Sequence, residues 1–305
     1  MHASAAASIA VLVLASSSPG RAQDPDTPLW WRQGRCAVSG SLKKDLRSPS
    51  WGERSMGLLD ARKCGPLARW AVDDVMRLLG NDEEYLVRED AARALGEIGA
   101  PQDAAVRALV EASGGPANRV GSVAARVIAS KFGRAAVPVL LEVLREGGWR
   151  LEKEERPTRY HNALFALRLI GEGDHSVTVD LIDALAGNDD EAEGAAALLQ
   201  YLGPPPAAAP GLINCLSASR WSGVRAQAAA ALGDMGPMPE AVPGLITVLD
   251  DEMPWARAAA AEALGKMGAA ARPAIPALEQ AAQDKDDRAA RAARDALEQI
   301  RSSQR

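Results

Sequence analysis

The stretch "VREDAARALGEIG" at residues 87–99 decides the fold, and it returns as "ARAAAAEALGKMG" at residues 256–268. In both copies apolar residues recur three or four positions apart, the spacing of one face of an α-helix. In the first copy these positions are Val87, Ala91, Leu95 and Ile98. The final glycine suits the left-handed backbone that ends a helix, because it has no Cβ. The stretch therefore predicts a helix together with its stop.

The same pattern recurs along the chain at a nearly constant interval. A third copy, "VRAQAAAALGDMG", occupies residues 224–236. Glycines that align with its last residue are Gly65, Gly99, Gly133, Gly171, Gly203, Gly236 and Gly268. The steps between them are roughly 32 to 38 residues, a period typical of helical repeats that stack on one another.

A second helix is predicted after each of these glycines. Its signature is proline followed by apolar residues at helical spacing, as in "PVLLEVL" from Pro138, "PGLINCL" from Pro210 and "PGLITVL" from Pro243. Proline fits the first turn of a helix, where its missing N–H is not needed. No useful stretch alternates with the period of two that a half-buried strand requires. The sequence thus predicts an all-α array of helix pairs.

These residues resemble the HEAT family, specifically the short HEAT-like repeats of phycobilin lyase subunits. The resemblance rests on the three copies and the second-helix signature, and it extends over residues 51–301. It implies an α/α solenoid of about seven helix pairs, closed by a capping helix with the sequence "DRAARAARDALEQI". It also implies a non-catalytic protein-interaction scaffold whose second helices line the concave surface. Residues 23–50 are then predicted to form an N-terminal capping segment.

Composition agrees with closely packed helices and limits the partners. Hydrophobic residues make up 47% of the chain but aromatic residues only 4%, because alanine dominates the apolar set. Small side chains allow helices to approach closely along their length. The formal net charge is −5 and no lysine-rich run occurs, so a nucleic-acid partner is not predicted.

The first 22 residues, "MHASAAASIAVLVLASSSPGRA", have the features of an export signal. The apolar run from Ala5 to Ala15 is too short to span a bilayer and suits the core of a signal peptide. Gly20 and Ala22 supply small side chains before a cleavage site. A wrong start codon or an unstructured tail is the alternative. We expect an exported protein, periplasmic or extracellular, with no membrane insertion once residues 1–22 are removed.

The chain has three cysteines, Cys36, Cys64 and Cys215. In an exported protein Cys36 and Cys64 can form a disulfide that ties the N-terminal segment to the first helical unit. Three free structural thiols are an equally good interpretation. No Cys-x-x-Cys motif occurs, so a zinc or redox site is not indicated.

The exposed positions of the second helices follow from helical geometry. If Leu212 and Leu216 face the core, Asn214 points away, and the same register can be carried along the array. The resulting second-helix row comprises Asp74, Arg77, Glu111, Glu142, Asp180, Asp183, Asn214, Thr247 and Gln280. Its first half holds five acidic residues and one arginine. It predicts binding of a protein or peptide, and an acidic surface would attract a cationic one. Ordinary solubilising charge is the alternative.

Aromatic residues share one edge of the predicted array, at the start of first helices. They are Trp51, Tyr85, Trp221 and Trp255. Such a row can grip a peptide or sugar, whereas a hydrophobic staple at each helix start explains every residue singly. The staple is the simpler interpretation.

An enzyme is the main functional alternative to a scaffold. HEAT-like repeats occur in lyase-type enzymes and their accessory subunits, and the residues to carry acid–base or metal chemistry would be Tyr160, His161, Asp174 and His175. No histidine is followed by glutamate, so the paired His-Glu iron site of deoxyhypusine hydroxylase is absent. The sequence predicts no cofactor, no metal and no catalytic residue.

Overall fold

A computed structural model of the protein describes residue 36 and residues 40–112, 119–146 and 158–303. The fold is an all-α solenoid, and the described residues contain no β-strand. The predicted signal peptide, residues 1–22, lies outside the described part, as does most of the predicted capping segment, residues 23–50.

Two alternating sets of helices form the array, preceded by a short helix α1 (Gly40–Leu46). The first helices are α2 (Trp51–Cys64), α4 (Tyr85–Leu95), α6 (Arg119–Val127), α8 (Thr158–Gly173), α10 (Asp189–Leu202), α12 (Ser222–Asp234) and α14 (Pro254–Met267). The second helices are α3 (Val72–Asn81), α5 (Gln102–Glu111), α7 (Val137–Glu146), α9 (Val177–Ala184), α11 (Ala209–Ala218), α13 (Val242–Val248) and α15 (Ile275–Ala281). A last helix, α16 (Asp287–Ser302), follows α15.

The helices stack in two layers around one continuous core. Each first helix packs against the next first helix, and most second helices pack mainly against the first helix that follows, with α5 the exception. The apolar face predicted for residues 87–99 is fully buried, as are the equivalent positions of α14. One cluster of buried side chains extends from Cys36 to Ile300. The helical period therefore placed the core correctly.

Proline opens the second helices in their first turn, as predicted. Pro138, Pro210 and Pro243 are each the second residue of their helix. A short 3₁₀ turn that the sequence pattern did not indicate precedes each of them, for example Pro239–Ala241 before α13. The 3₁₀ turn lets the chain reverse within a few residues between the two layers.

The repeated glycine ends the first helices through its backbone conformation. Positive φ angles occur at Gly65, Gly99, Gly133, Gly203, Gly236 and Gly268. At Gly268, for example, φ is 58° and ψ is −127°, and this ψ lies outside the αL region. This combination is even more restricted to glycine than αL itself. Gly171 contradicts the prediction, since it lies inside α8, which continues to Gly173.

The other glycine of the repeated hexapeptide has a different role. Gly233 lies inside α12, and a Cβ at that position would stand 2.9 Å from the Cα of Ala263 in α14. No side chain fits between the two backbones. The pair of glycines in "ALGDMG" therefore combines close helix contact with a helix stop.

Gly236 and Gly80 form a matched pair for testing the stop. A Cβ would meet no atom within 4 Å at either position, but only Gly236 has positive φ, at 87°. We expect Gly236→Ala to lower the free energy of unfolding by about 1–2 kcal/mol. Gly80→Ala, in α3, is expected to be neutral or stabilising by up to about 1 kcal/mol. Urea unfolding of both variants checks this, and equal effects would show that backbone strain is not the cause.

A disulfide closes the N-terminal end of the array. The sulfurs of Cys36 and Cys64 are bonded, with the two Cα atoms 5.5 Å apart. The indole Nε1 of Trp70 donates a hydrogen bond to the carbonyl oxygen of Cys36 over 3.1 Å. Cys215 is free and buried, and its thiol faces the carbonyl oxygen of Leu185 at 3.6 Å. Burial raises the pKa of the Cys215 thiol to about 11, so this thiol is a poor nucleophile at neutral pH.

Candidate interaction surfaces

The structure exposes most of the predicted second-helix row. Seven of its members are exposed: Arg77, Glu111, Glu142, Asp183, Asn214, Thr247 and Gln280. Asp180 is half-buried. Asp74 contradicts the prediction, because only 8% of its surface is accessible.

Asp74 is buried because two arginines from different elements cover it. The Nε of Arg47, just after α1, lies 2.9 Å from Oδ1 of Asp74. Arg77, one turn further along α3, reaches the same oxygen at 3.5 Å and also donates to the carbonyl oxygen of Leu46 over 3.1 Å. A buried carboxylate needs such partners to remain charged. Asp74 thus joins α1 to the array and does not face a ligand.

The acidic character expected of this row is largely neutralised. Arg107 of α5 pairs with Glu142 of α7 at 2.5 Å, and Arg134 pairs with Asp180 at 3.2 Å. Arg107 stands four residues before Glu111, on the same face of α5. This spacing could have revealed from the sequence that an arginine lies beside the acidic row. Ion pairing at these positions removes the basis for expecting a cationic partner on the second helices.

Helix spacing differs between the two layers of the C-terminal repeats. In the first-helix layer, a Cβ at Gly233 would lie 2.9 Å from the Cα of Ala263, and one at Gly265 would lie 3.0 Å from the Cα of Ala296. In the second-helix layer, a Cβ at Gly244 meets the side chain of Leu216 first, with its Cβ at 3.3 Å. Backbones therefore approach more closely among first helices.

Unequal spacing decides which side of a stacked array is concave. The layer with the shorter spacing lies on the inside of the curve, because the arc is shorter there. In these repeats the shorter spacing favours first helices as the inner layer, whereas the family resemblance implies second helices.

Three of the four aromatic edge residues are exposed. The exposed fractions are 51% for Trp51, 43% for Tyr85 and 41% for Trp255, whereas Trp221 is half-buried and packs against the core. Trp221, immediately before α12, fits the hydrophobic staple. A hydrophobic staple does not require exposed side chains, so it does not explain why the other three are exposed. The four form two separate pairs, since the units between α4 and α12 begin with Arg119, Thr158 and Asp189.

The residues of the enzyme alternative do not come together. His161 lies in the first turn of α8 and His175 just beyond its end, so fourteen helical rises separate them by about 20 Å. Tyr160 is fully buried, and its hydroxyl donates to the carbonyl oxygen of Asp190 over 3.0 Å. Asp174 accepts from the backbone N–H of Ser176 at 2.9 Å, and the Ser176 hydroxyl and N–H hold the pKa of Asp174 below its usual range. In the described part of the chain, no group of three His, Cys, Asp or Glu is placed to hold a metal ion.

An arginine ladder, not foreseen from the sequence, holds successive units together. It consists of the pairs Arg54–Asp82, Arg225–Asp251 and Arg257–Asp284. Each arginine lies in the first turn of its first helix, and each aspartate follows the next second helix. The guanidinium also donates to the loop before its own helix, as from Arg257 Nη1 to the carbonyl oxygen of Asp251 over 2.8 Å. The sequence did contain a signal for this ladder, since each arginine stands eleven residues before the glycine that ends its helix.

Family comparisons identify the repeats. Residues 209–298 match the family described as HEAT repeats, and residues 87–114 match the one described as PBS lyase HEAT-like repeat. These two segments are similar to HEAT repeats. The resemblance to the phycobilin lyase group is confirmed by the second match. No curated protein matches the chain at a significant level.

Several solved structures are similar to this chain. An engineered protein is 23% identical, with 85% of this chain and 77% of that chain covered and a TM-score of 0.43. Human deoxyhypusine hydroxylase in complex with glycerol is 22% identical, with 86% and 95% covered and a TM-score of 0.37. A Kap121p mutant is 15% identical, with 86% and 33% covered and a TM-score of 0.48. At these identities and TM-scores the likenesses carry no argument about function.

The two matches begin at different kinds of helix. The match to residues 209–298 begins at the first residue of the second helix α11 and ends inside α16, whereas the match to residues 87–114 begins in the first helix α4 and ends just after the second helix α5. In the described ranges, no helix is both long and apolar enough to cross a bilayer.

Proposed function

We propose that the protein is an exported, non-catalytic HEAT-repeat scaffold that binds a partner protein or peptide on the inner, first-helix face. The observation that carries this proposal is the content of that face. It presents the half-exposed Arg168 on α8, Tyr201, 56% exposed, on α10, and Trp255, 41% exposed, on α14. Tyr, Trp and Arg are the residue types that contribute most to binding at protein interfaces.

Rigidity of the array supports the same function. The face is built from helices joined by buried arginine pairs and a continuous core, so its exposed side chains keep fixed separations. A preorganised surface loses less conformational entropy when it binds. The disulfide at the N-terminal end supports export, since such bonds persist in oxidising compartments.

The enzyme alternative receives no support from geometry. A lyase-type site built on Tyr160, His161, Asp174 and His175 would need these groups within reach of one substrate. Tyr160 is buried, Asp174 caps a turn, and the two histidines stand at opposite ends of α8. We therefore propose binding and not catalysis.

Binding is tested by changing the two faces separately. One variant carries Arg126→Gln, Trp255→Ser and Glu262→Gln on the first helices. The matched variant carries Glu111→Gln, Glu142→Gln and Asp183→Asn on the second helices; all six residues are exposed. Immobilised wild-type protein would first select a partner from the envelope fraction of the native host. Its dissociation constant for each variant would then be measured with the purified partner.

We expect the first-helix variant to bind at least about tenfold more weakly, and the second-helix variant to bind within about threefold of wild type. Thermal melts of both variants should stay close to wild type, because exposed substitutions change stability little. The reverse order of affinities would place binding on the second helices. Loss of binding in His161→Ala with His175→Ala, while both face variants bind normally, would favour the enzyme alternative.

A further inference from the structure

Arg168, on the first helix α8, has a partly exposed guanidinium that lies over two aromatic rings. Its Cζ lies 5.2 Å from the ring centroid of Phe165 and 4.9 Å from that of Tyr201. The two rings come from consecutive first helices, α8 and α10. Tyr201 is itself fixed, because its hydroxyl donates to Oε1 of Glu172 over 2.8 Å. Stacking on two rings holds the planar guanidinium in one orientation.

The contacts with the two rings leave the terminal nitrogens of this guanidinium available for hydrogen bonds. The Nε of Arg168 lies 3.3 Å from Oε1 of Glu172, but it makes no hydrogen bond. Neither Nη donates a hydrogen bond to any described residue, although 41% of the side chain is exposed. A fixed guanidinium with open Nη donors matches the two oxygens of a carboxylate, which accept two parallel hydrogen bonds.

Two further arginines lie on α4 and α6, the two first helices that precede α8. Arg93 of α4 is partly exposed and pairs with Glu89 at 3.0 Å and Asp90 at 3.1 Å. Arg126 of α6 is exposed and has no ion pair among the described residues. An ion pair between Lys131 and Glu97 at 2.6 Å joins the segments that follow α4 and α6, about one turn beyond Arg93 and Arg126. We call Arg93, Arg126 and Arg168 the arginine row.

We infer that Arg168, clamped between Phe165 and Tyr201, binds a carboxylate on the partner, and that the arginine row accepts an acidic segment of that protein. This inference rests on the proposed binding function and specifies the chemistry of the partner. It reverses the cationic partner expected from the second helices. Glu172 lies against Arg168, and Glu97, four residues beyond Arg93, pairs with Lys131. They disfavour a phosphate backbone, whose closely spaced charges would meet them, whereas separated carboxylates need not.

A labelled octapeptide of alternating glutamate and alanine is the probe, with fluorescence anisotropy at low salt as the measurement. The same peptide with glutamine and an oligothymidylate of equal charge are compared with it. We expect the glutamate peptide alone to bind, with affinity falling as salt rises. Arg168→Gln should weaken it at least about tenfold, and Arg168→Lys nearly as much, because lysine keeps the charge but not the bidentate fork.

Arg291→Gln is the control, since Arg291 is exposed on α16 and lies outside the arginine row. It should change affinity by less than about twofold. Equal binding of the glutamine peptide, no binding of the glutamate peptide, or an unchanged affinity in Arg168→Gln or Arg168→Lys would each overturn the inference. Tighter binding of oligothymidylate, lost in Arg168→Gln, would overturn it in favour of nucleic acid. If the natural partner binds wild type and Arg168→Gln equally, the scaffold function stands and the carboxylate site fails.

Discussion

Replacing Cys36 and Cys64 together with alanine is expected to lower the free energy of unfolding by about 3–4 kcal/mol. The disulfide spans a sequence separation of 28, so its removal restores the entropy of a long open loop to the unfolded chain. In the folded state the disulfide also holds the N-terminal chain in position. Cys36 is 2% exposed, and its carbonyl oxygen accepts the hydrogen bond from Trp70 that fixes the N-terminal chain against the first unit.

Urea unfolding of wild type with and without reductant would measure this effect independently of mutation. Reduced wild type should match the double alanine variant, while Cys215→Ala should cost only about 1 kcal/mol as a small buried substitution. Alkylation under native conditions gives a second check. We expect no label on Cys36 or Cys64, and slow labelling of Cys215 because burial raises the pKa of its thiol to about 11. Rapid labelling of all three thiols without reductant would rule the bond out.

The fold was predictable because its signals are local and repeated. Helical spacing identified the buried face of α4, and the recurring glycine identified where first helices end. The error at Gly171 has a physical cause. A Cβ there would lie 2.5 Å from Cδ1 of Leu202, so this glycine permits a close contact between helices instead of stopping one. A glycine in the sequence can either end a helix or permit a close contact between helices, and the repeat spacing alone does not distinguish the two roles.

The candidate surfaces were only partly predictable because ion pairs join distant elements. The helical register correctly predicted that Glu142 is exposed. It did not indicate that Arg107, on the preceding second helix, would neutralise this carboxylate. It assigned Asp74 to the surface because the covering Arg47 lies 27 residues away, beyond α1. Curvature is not predictable from the repeat pattern for a related reason. It depends on the distances between neighbouring backbones, which the pattern of a single helix does not contain.

The second large effect is expected from Arg257→Met, which removes one member of the arginine ladder. Arg257 holds both oxygens of Asp284, at 2.5 and 2.8 Å, and donates to the carbonyl oxygen of Asp251 at 2.8 Å. Both side chains of the pair are about nine-tenths buried. Methionine fills similar volume but leaves the buried carboxylate of Asp284 without a charged partner, bonded only to the backbone N–H of Asp286. We expect the free energy of unfolding to fall by about 3–5 kcal/mol, as for other broken buried pairs.

Lys266→Met is the matched control, because it removes one positive charge from the same helix α14. Lys266 pairs with Asp234 at 2.6 Å, but both side chains are well exposed. Its loss should cost less than about 1 kcal/mol. Urea unfolding at neutral pH compares the two variants directly, and similar losses would contradict a special role for the buried ladder.

Acid titration of the same variants tests whether the carboxylate charge is the source of the ladder's stability. The Arg257 hydrogen bonds hold the pKa of Asp284 below its usual range. For Asp251, burial acts to raise the pKa, but hydrogen bonds, chiefly from Arg225, outweigh it and the pKa is lowered. A carboxyl whose folded pKa is depressed contributes stability above its unfolded pKa, near 4, and loses it as pH falls through the folded value. The stability difference between wild type and Arg257→Met should therefore be largest at neutral pH and shrink below about pH 4. A difference that stays constant through that acid range would show that Arg257 contributes packing, and that the charge of Asp284 does not stabilise the array.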